Sequence, residues 1–119
     1  MHDHWTKTEK QIAKKVFNLA KSRAYQDLID TINSKAINSQ NEIWELRDLL
    51  NKKAKEFDDK FDYRYSQLLM LFVRYVNEGL LSIEELEGLS EDKIYFIRDI
   101  TEKATPLRVA YDNKNFNTI

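Results

Sequence analysis

The chain has 119 residues, a net charge of −1 at pH 7, no cysteine, and only two glycines and one proline. This length fits one domain with a modest core, and the balance of charge is unlike the basic excess of a dedicated nucleic-acid-binding protein. Without cysteine, disulfides, thiolate nucleophiles and cysteine-ligated zinc are excluded. The polar N-terminus does not resemble a secretory signal and the longest apolar run is too short for a bilayer, so we expect a cytoplasmic protein with no membrane contact.

The first predicted helix runs from about residue 7 to residue 33. Thr6 and Glu9 have the spacing of a capping box, in which each side chain bonds a backbone N–H of the other residue. An apolar residue then recurs every four positions, which predicts one buried helix face: Ile12, Val16, Ala20, Ala24 and Leu28. The segment "NSKAINSQN" breaks this pattern because Asn and Ser favour local side-chain bonds over helix interiors.

The second predicted helix, about residues 40–60, opens with another capping-box pair, Ser39 and Glu42. Its apolar residues form a narrow stripe between charged flanks, which is typical of a helix-pairing seam: Ile43, Leu46, Leu50, Ala54, Phe57 and Phe61. A helix of about 30 Å cannot easily bury such a seam inside so short a chain. The sequence therefore predicts a homodimer held partly by this helix.

Three shorter helices are predicted next, at about residues 64–78, 83–88 and 91–104. The first of them, "YSQLLMLFVRYV", is apolar almost all round and should be the central buried element. Gly79 is expected to end it in a left-handed conformation. The predicted fold is all-α: residues 1–106 form one domain, a helical hairpin or bundle with a long dimerising helix and a small helical head, and residues 107–119 form a flexible tail.

The stretch "DDKFD" has the spacing of the aspartate-rich motif with which prenyl-chain enzymes bind Mg²⁺. Asp58 and Asp62 are four residues apart, so their carboxylates share one helix face and could bind a hard cation. Such enzymes need a large apolar cavity and a second acidic cluster, for which this chain is too short. We therefore favour a solvated acidic turn, and we expect no metal, no cofactor and no enzymatic activity.

The two histidines, His2 and His4, could in principle bind Cu²⁺ or Ni²⁺ together with backbone amides. That geometry requires His4 to be the third residue, and hence removal of Met1, which a bulky His2 disfavours. We interpret them as part of a polar terminus.

Trp44 is the remaining unusual residue, because it is a large aromatic on a charged helix. Such a residue is commonly a core residue on an inward helix face. With Arg47 and Asp48 one turn further on, it also has the composition of a protein-binding hot spot. Both interpretations stay open from the residues alone.

The segment from residue 43 to residue 94 resembles the fluorescence recovery protein family of cyanobacteria, with weaker similarity at Trp5, Glu9 and Phe17, so that the resemblance covers residues 5 to about 98. The matching positions are Trp44, Leu46, Asp48 and Leu50, then Asp58, Lys60, Phe61, Asp62 and Arg64, then Glu78, Gly79 and Leu80, then Glu84, Glu85 and Leu86. The resemblance implies a small helical homodimer that binds the photoactivated orange carotenoid protein and speeds its return to the dark form. It also implies a functional patch that includes Trp44 and Asp48.

The sequence departs from the family pattern at four positions: Arg47 replaces a His, Ala54 an Arg, Met70 an aromatic residue and Phe96 a basic residue. These departures suggest a divergent homologue. An alternative is therefore a homodimeric adaptor on the same scaffold, with an unrelated protein partner in a non-photosynthetic host. The candidate protein-binding or dimer-interface residues are Trp44, Arg47, Asp48, Leu50, Ala54, Met70 and Phe96.

Overall fold

The computed structural model describes residues 4–102, and within them every regular element is a helix, apart from one isolated β-bridge between Glu87 and Leu89. Its helices are α1 (Lys7–Asn33), α2 (Gln40–Lys60), α3 (Tyr65–Asn77), a 3₁₀ helix (Ile83–Leu86) and α4, which is helical from residue 91 to residue 102. The predicted all-α fold class is therefore confirmed. The predicted tail, 107–119, and the last residues of the fifth predicted helix lie outside the described residues.

Side-chain caps fix where the first two helices begin. The Thr6 hydroxyl accepts a hydrogen bond from the Glu9 N–H at 3.1 Å, and the Glu9 carboxylate accepts one from the Thr6 N–H at 3.0 Å, so this capping box is complete. At α2 only half of the predicted box forms. The Ser39 hydroxyl accepts from the Glu42 N–H at 3.3 Å, but the Glu42 carboxylate accepts from the N–H of Asn38 instead.

The end of α3 is set by Gly79, as expected. Its φ of 78° lies in the left-handed region, and the N–H of Leu80 bonds the carbonyl of Tyr75 at 2.8 Å while the Gly79 N–H bonds that of Val76. This pair of bonds is a Schellman motif, which satisfies carbonyls at the helix end. The helix predicted over 83–88 is shorter than expected, because only one 3₁₀ turn forms before the chain reaches Gly88, whose φ is 106°.

The hydrophobic core lies at one end of the molecule, which we call the head (residues 4–24 and 57–102). The first half of α1, most of α3, the residues after α3 and α4 all contribute buried side chains to it. The largest fully buried ones are Leu68, Phe72, Tyr75, Leu86 and Ile97. As predicted, α3 is the most deeply buried helix, since seven of its thirteen residues are buried.

Aromatic rings join the C-terminal end of α2 to the head. The ring of Phe61 lies 6.0 Å from that of Phe17 and 5.4 Å from that of Tyr75. The Tyr75 hydroxyl donates to the Lys60 carbonyl at 2.6 Å in a buried setting. Since Lys60 is the last residue of α2, this bond satisfies one of the carbonyls that every helix leaves unpaired at its C-terminus.

Beyond the head lie the second half of α1, the loop after it and most of α2, which we call the arm (residues 25–56). The arm begins where the ring of Tyr25 meets that of Phe57 at 4.8 Å. No residue of the arm is buried, since burial ends at Ala24 on α1 and resumes only at Phe57 on α2. The described residues accordingly have a radius of gyration of 17.0 Å, against about 13 Å for a compact domain of that size.

Candidate functional site

The candidate site lies on the part of α2 that belongs to the arm, where several large apolar side chains face solvent. Trp44 is 54% exposed and Ile43 49%, and Leu50 is also exposed two turns further on. Within one chain Trp44 is thus a surface residue and does not belong to the core. A monomer seldom exposes so many large apolar side chains on one short segment unless they form a contact surface.

Trp44, Arg47 and Asp48 form a connected group on this surface. The Arg47 guanidinium carbon lies 5.2 Å from the centre of the Trp44 ring, within the range of a cation–π contact. The same guanidinium donates to one Asp48 carboxylate oxygen from Nε at 3.2 Å and from Nη2 at 3.1 Å. All three side chains are exposed, so the ion pair itself contributes little to stability. The group therefore presents an aromatic face, a cation and an anion to whatever binds there.

The other predicted site residues do not all join this group. Leu50 and Ala54 continue the exposed surface along α2. Met70 is 54% exposed on α3, and Phe96 is partly buried against the core on α4. Both belong to the head, which begins at Phe57 on α2. Trp44 lies thirteen positions before Phe57, a distance of about 20 Å along the helix. One chain therefore does not bring Met70 and Phe96 together with the Trp44 group.

The acidic turn at the end of α2 is engaged by arginines. Arg74 Nη1 lies 3.1 Å from a carboxylate oxygen of Asp59, and Arg64 Nη2 lies 2.5 Å from one of Asp62. Within residues 4–102 no group of three or more His, Asp or Glu side chains is placed to hold a metal ion. The ion pairs support the interpretation of "DDKFD" as a charged turn.

A buried lysine links the arm to the head, and the sequence did not reveal it. The Lys60 side chain is only 7% exposed, and its Nζ lies 2.7 Å from Glu78 Oε1 and 3.2 Å from Glu56 Oε2. Burial alone would raise the pKa of Glu56, but the contacts with Lys60 and Lys53 outweigh it and lower that pKa. The signal was the position of Lys60 three residues after Phe57, on the apolar face of α2.

A second buried ion pair ties α4 to the start of α1. Lys93 Nζ lies 3.3 Å from Glu9 and also donates to the His4 carbonyl, while the Ser90 N–H donates to Glu9 at 2.8 Å. Burial opposes the charge on Glu9, yet the donors on Thr6, Ser90 and Lys93 lower its pKa to about 2. The carboxylate that completes the α1 cap thus also positions α4. His2, the other histidine of the N-terminal segment interpreted as a polar terminus, lies outside the described residues.

None of the helices in residues 4–102 combines the length and the apolar character needed to cross a membrane.

Comparison with known proteins places this fold and surface in one family. Residues 5–101 match the family model described as photoprotection regulator fluorescence recovery protein. The chain is 35% identical over 91 residues to the fluorescence recovery protein of Synechocystis sp., covering 75% of this chain and 84% of that protein. The structure of the Fremyella diplosiphon fluorescence recovery protein superposes with a TM-score of 0.79 at 32% identity, covering 83% of this chain and 99% of that one. The structure of the fluorescence recovery protein from Synechocystis sp. superposes with a TM-score of 0.73 at 34% identity, covering 78% of this chain and 98% of that one. The chain therefore belongs to the fluorescence recovery protein family of photoprotection regulators.

Proposed function

We propose that this chain is a non-enzymatic, dimeric regulator in the cytoplasm, which binds a carotenoid-binding photoprotein and accelerates its return from the active to the dark form. Family membership supports the regulatory role. The observation that carries the binding role is the exposed group of Trp44, Arg47 and Asp48. Tryptophan and arginine dominate protein-binding hot spots because they contribute large contact areas and directional hydrogen bonds together.

The arm supports the dimer. These 32 residues contain no buried side chain and gain little from their own packing, and isolated helices of this length are marginal in water. A second arm laid against the first would bury the exposed apolar residues of α2, among them Ile43 and Leu50. A two-fold pairing is the simplest arrangement, since each arm then supplies and receives the same surface.

A regulator of this kind needs no reacting groups. It accelerates a conformational change in its partner when it binds the transition state, or a detached domain of the partner, more tightly than the active ground state. The surface around Trp44 suits this role because it presents apolar area and both signs of charge on one helix.

The direct test is to mix the chain with a photoactivated orange carotenoid protein and to time the red-to-orange decay in the dark. We expect the decay to accelerate with the wild-type chain and to lose most of that acceleration with Trp44→Ala, since loss of a hot-spot residue costs about 2 kcal/mol or more of binding. The matched control is Ile37→Ala, which removes another exposed apolar side chain outside the group. A decay rate unaffected by the wild-type chain would refute the proposal.

The second candidate is a homodimeric adaptor with an unrelated protein partner. It is favoured by Asp48, whose carboxylate is already bound by Arg47, and by Ala54, which offers no cation six residues further along α2. Under this alternative the chain is dimeric by light scattering, binds no carotenoid protein in either state, and still requires Trp44 for its own partner.

A further inference from the structure

The first half of α1 carries a row of lysines on one side. Lys7, Lys10, Lys14 and Lys21 are all exposed. At 100° per residue they lie within about 60° of one another around the helix axis, and they extend over about 21 Å of its length. We call this row the lysine stripe. No acidic residue of α1 shares the stripe, since Glu9 points into the head, where it pairs with Lys93.

The lysine stripe has four ammonium groups on one helix face, and none of them forms an ion pair with a carboxylate among residues 4–102. Several other cations of the head do form such pairs, each within 4.0 Å of a carboxylate: Arg23, Lys60, Arg64, Arg74 and Lys93. Like charges three and four residues apart destabilise a helix. The stripe thus costs the isolated chain stability that an acidic partner would restore.

Aromatic rings fix part of the stripe in place. Lys14 Nζ lies 4.3 Å from the centre of the Tyr63 ring, and Lys10 Nζ lies 5.3 Å from that of Tyr65. Tyr65 is itself 39% exposed. Ammonium groups held near rings lose less conformational freedom when they bind, and tyrosine is enriched at protein–protein interfaces. The two rings thus help to position these lysines for a protein partner.

We propose that the lysine stripe, with Tyr65 beside it, is a docking surface for an acidic protein segment, such as a helix or loop rich in Asp and Glu. This goes beyond the proposed function and does not depend on it, because the stripe lies on the head half of α1 and the Trp44 group lies on the arm. Charge complementarity calls for an acidic partner, since the stripe presents four exposed ammonium groups on one face. The exposed Tyr65 beside the stripe adds apolar contact area of the kind found at protein–protein interfaces, and the nucleic-acid and lipid alternatives are separated by the test below.

Charge reversal on the full chain tests the proposal. The probes are a labelled poly-glutamate peptide, a duplex DNA oligonucleotide and vesicles containing phosphatidylserine, each titrated at low ionic strength and followed by anisotropy or light scattering. The stripe variant combines Lys10→Glu, Lys14→Glu and Lys21→Glu. The matched control combines Lys35→Glu, Lys52→Glu and Lys55→Glu, three exposed lysines that also lack ion pairs in the described residues and that change the net charge equally.

The expected result is that the peptide binds the wild-type chain and that the stripe variant weakens this binding by about tenfold or more. The dissociation constant of the peptide for the control variant should stay within about twofold of that for the wild type. Circular dichroism checks that the variants fold, and a triple Lys→Gln variant of the stripe replaces the Glu variant if repulsion unfolds it. Equal loss in stripe and control variants, no peptide binding, or tighter binding of DNA or vesicles than of peptide would each overturn the proposal.

Discussion

The bond between the Tyr75 hydroxyl and the Lys60 carbonyl offers a sharp test of how the head fixes the end of α2. Tyr75 is fully buried, and the donor and acceptor oxygens are 2.6 Å apart. The substitution Tyr75→Phe removes the hydroxyl and leaves the ring in place, so it creates almost no cavity. It strands the Lys60 carbonyl in a buried position without its donor.

The expected cost follows from two terms. A typical hydrogen bond contributes about 1 kcal/mol net, and an acceptor left buried without a partner costs about 1–3 kcal/mol. We therefore expect the free energy of unfolding to fall by about 2 kcal/mol. For 119 residues the unfolding entropy is about 0.25 kcal/mol/K, so the melting temperature should fall by roughly 8 °C. Burial raises the pKa of Tyr75, so the hydroxyl remains protonated at neutral pH and the effect should not vary there.

The assay is thermal unfolding followed by circular dichroism at one fixed protein concentration, because association makes the melting temperature depend on concentration. The matched control is Tyr95→Phe, the same chemical change on a side chain that is 68% exposed, and it should shift the midpoint by less than about 2 °C. If Tyr75→Phe and Tyr95→Phe both have the melting temperature of the wild type, the reasoning about the Lys60 carbonyl is refuted.

Three further predictions concern pH, backbone conformation and association. Hydrogen bonds from Arg23 lower the pKa of Glu85 to about 2 from its ordinary 4.5. The ionised carboxylate therefore stabilises the fold above pH 4.5, and this contribution is lost as the pH falls from about 4.5 to about 2. The urea midpoint of the wild type should drop over that pH range, and that of Glu85→Gln should drop less steeply. Gly88→Ala should lower the free energy of unfolding by about 1–2 kcal/mol, because φ at this position is 106° and the new Cβ would lie 2.3 Å from Ile12 Cδ1. Urea unfolding measures this loss, and an unchanged midpoint would contradict it. Leu50→Glu should yield monomers by multi-angle light scattering, since it places a charge in the proposed arm-to-arm contact, and a retained dimer mass would exclude Leu50 from that contact.

The sequence predicted the parts of the fold that local chemistry controls. The complete capping box at Thr6 and the left-handed Gly79 both follow from a few neighbouring residues. The length of the helix after Ser82 could not be predicted from such rules. The Ser82 N–H donates to the Glu85 carboxylate at 3.0 Å, and such a cap marks where a helix starts but not how far it continues. Only one 3₁₀ turn formed there, since a helix of so few residues gains no cooperativity.

The candidate site was predicted less completely. Composition identified Trp44, Arg47 and Asp48, but it left open whether Trp44 is buried, since that depends on how far the core extends along α2. The two buried lysines were missed because their partners are distant along the chain: Lys60 pairs with Glu78, and Lys93 with Glu9. A charged residue on an apolar helix face signals such a pair, but the sequence does not say which acid completes it.

The absence of buried residues in the arm has a consequence for chains that lack a partner. Local opening is easiest where few side chains are buried, so in a lone chain residues 25–56 open far more readily than the head. A protease added in limiting amount should therefore cut within the arm and leave the fragments of the head largely folded. In a cell, unpaired copies would be removed first, and the amount of this protein would follow the amount of whatever covers the arm.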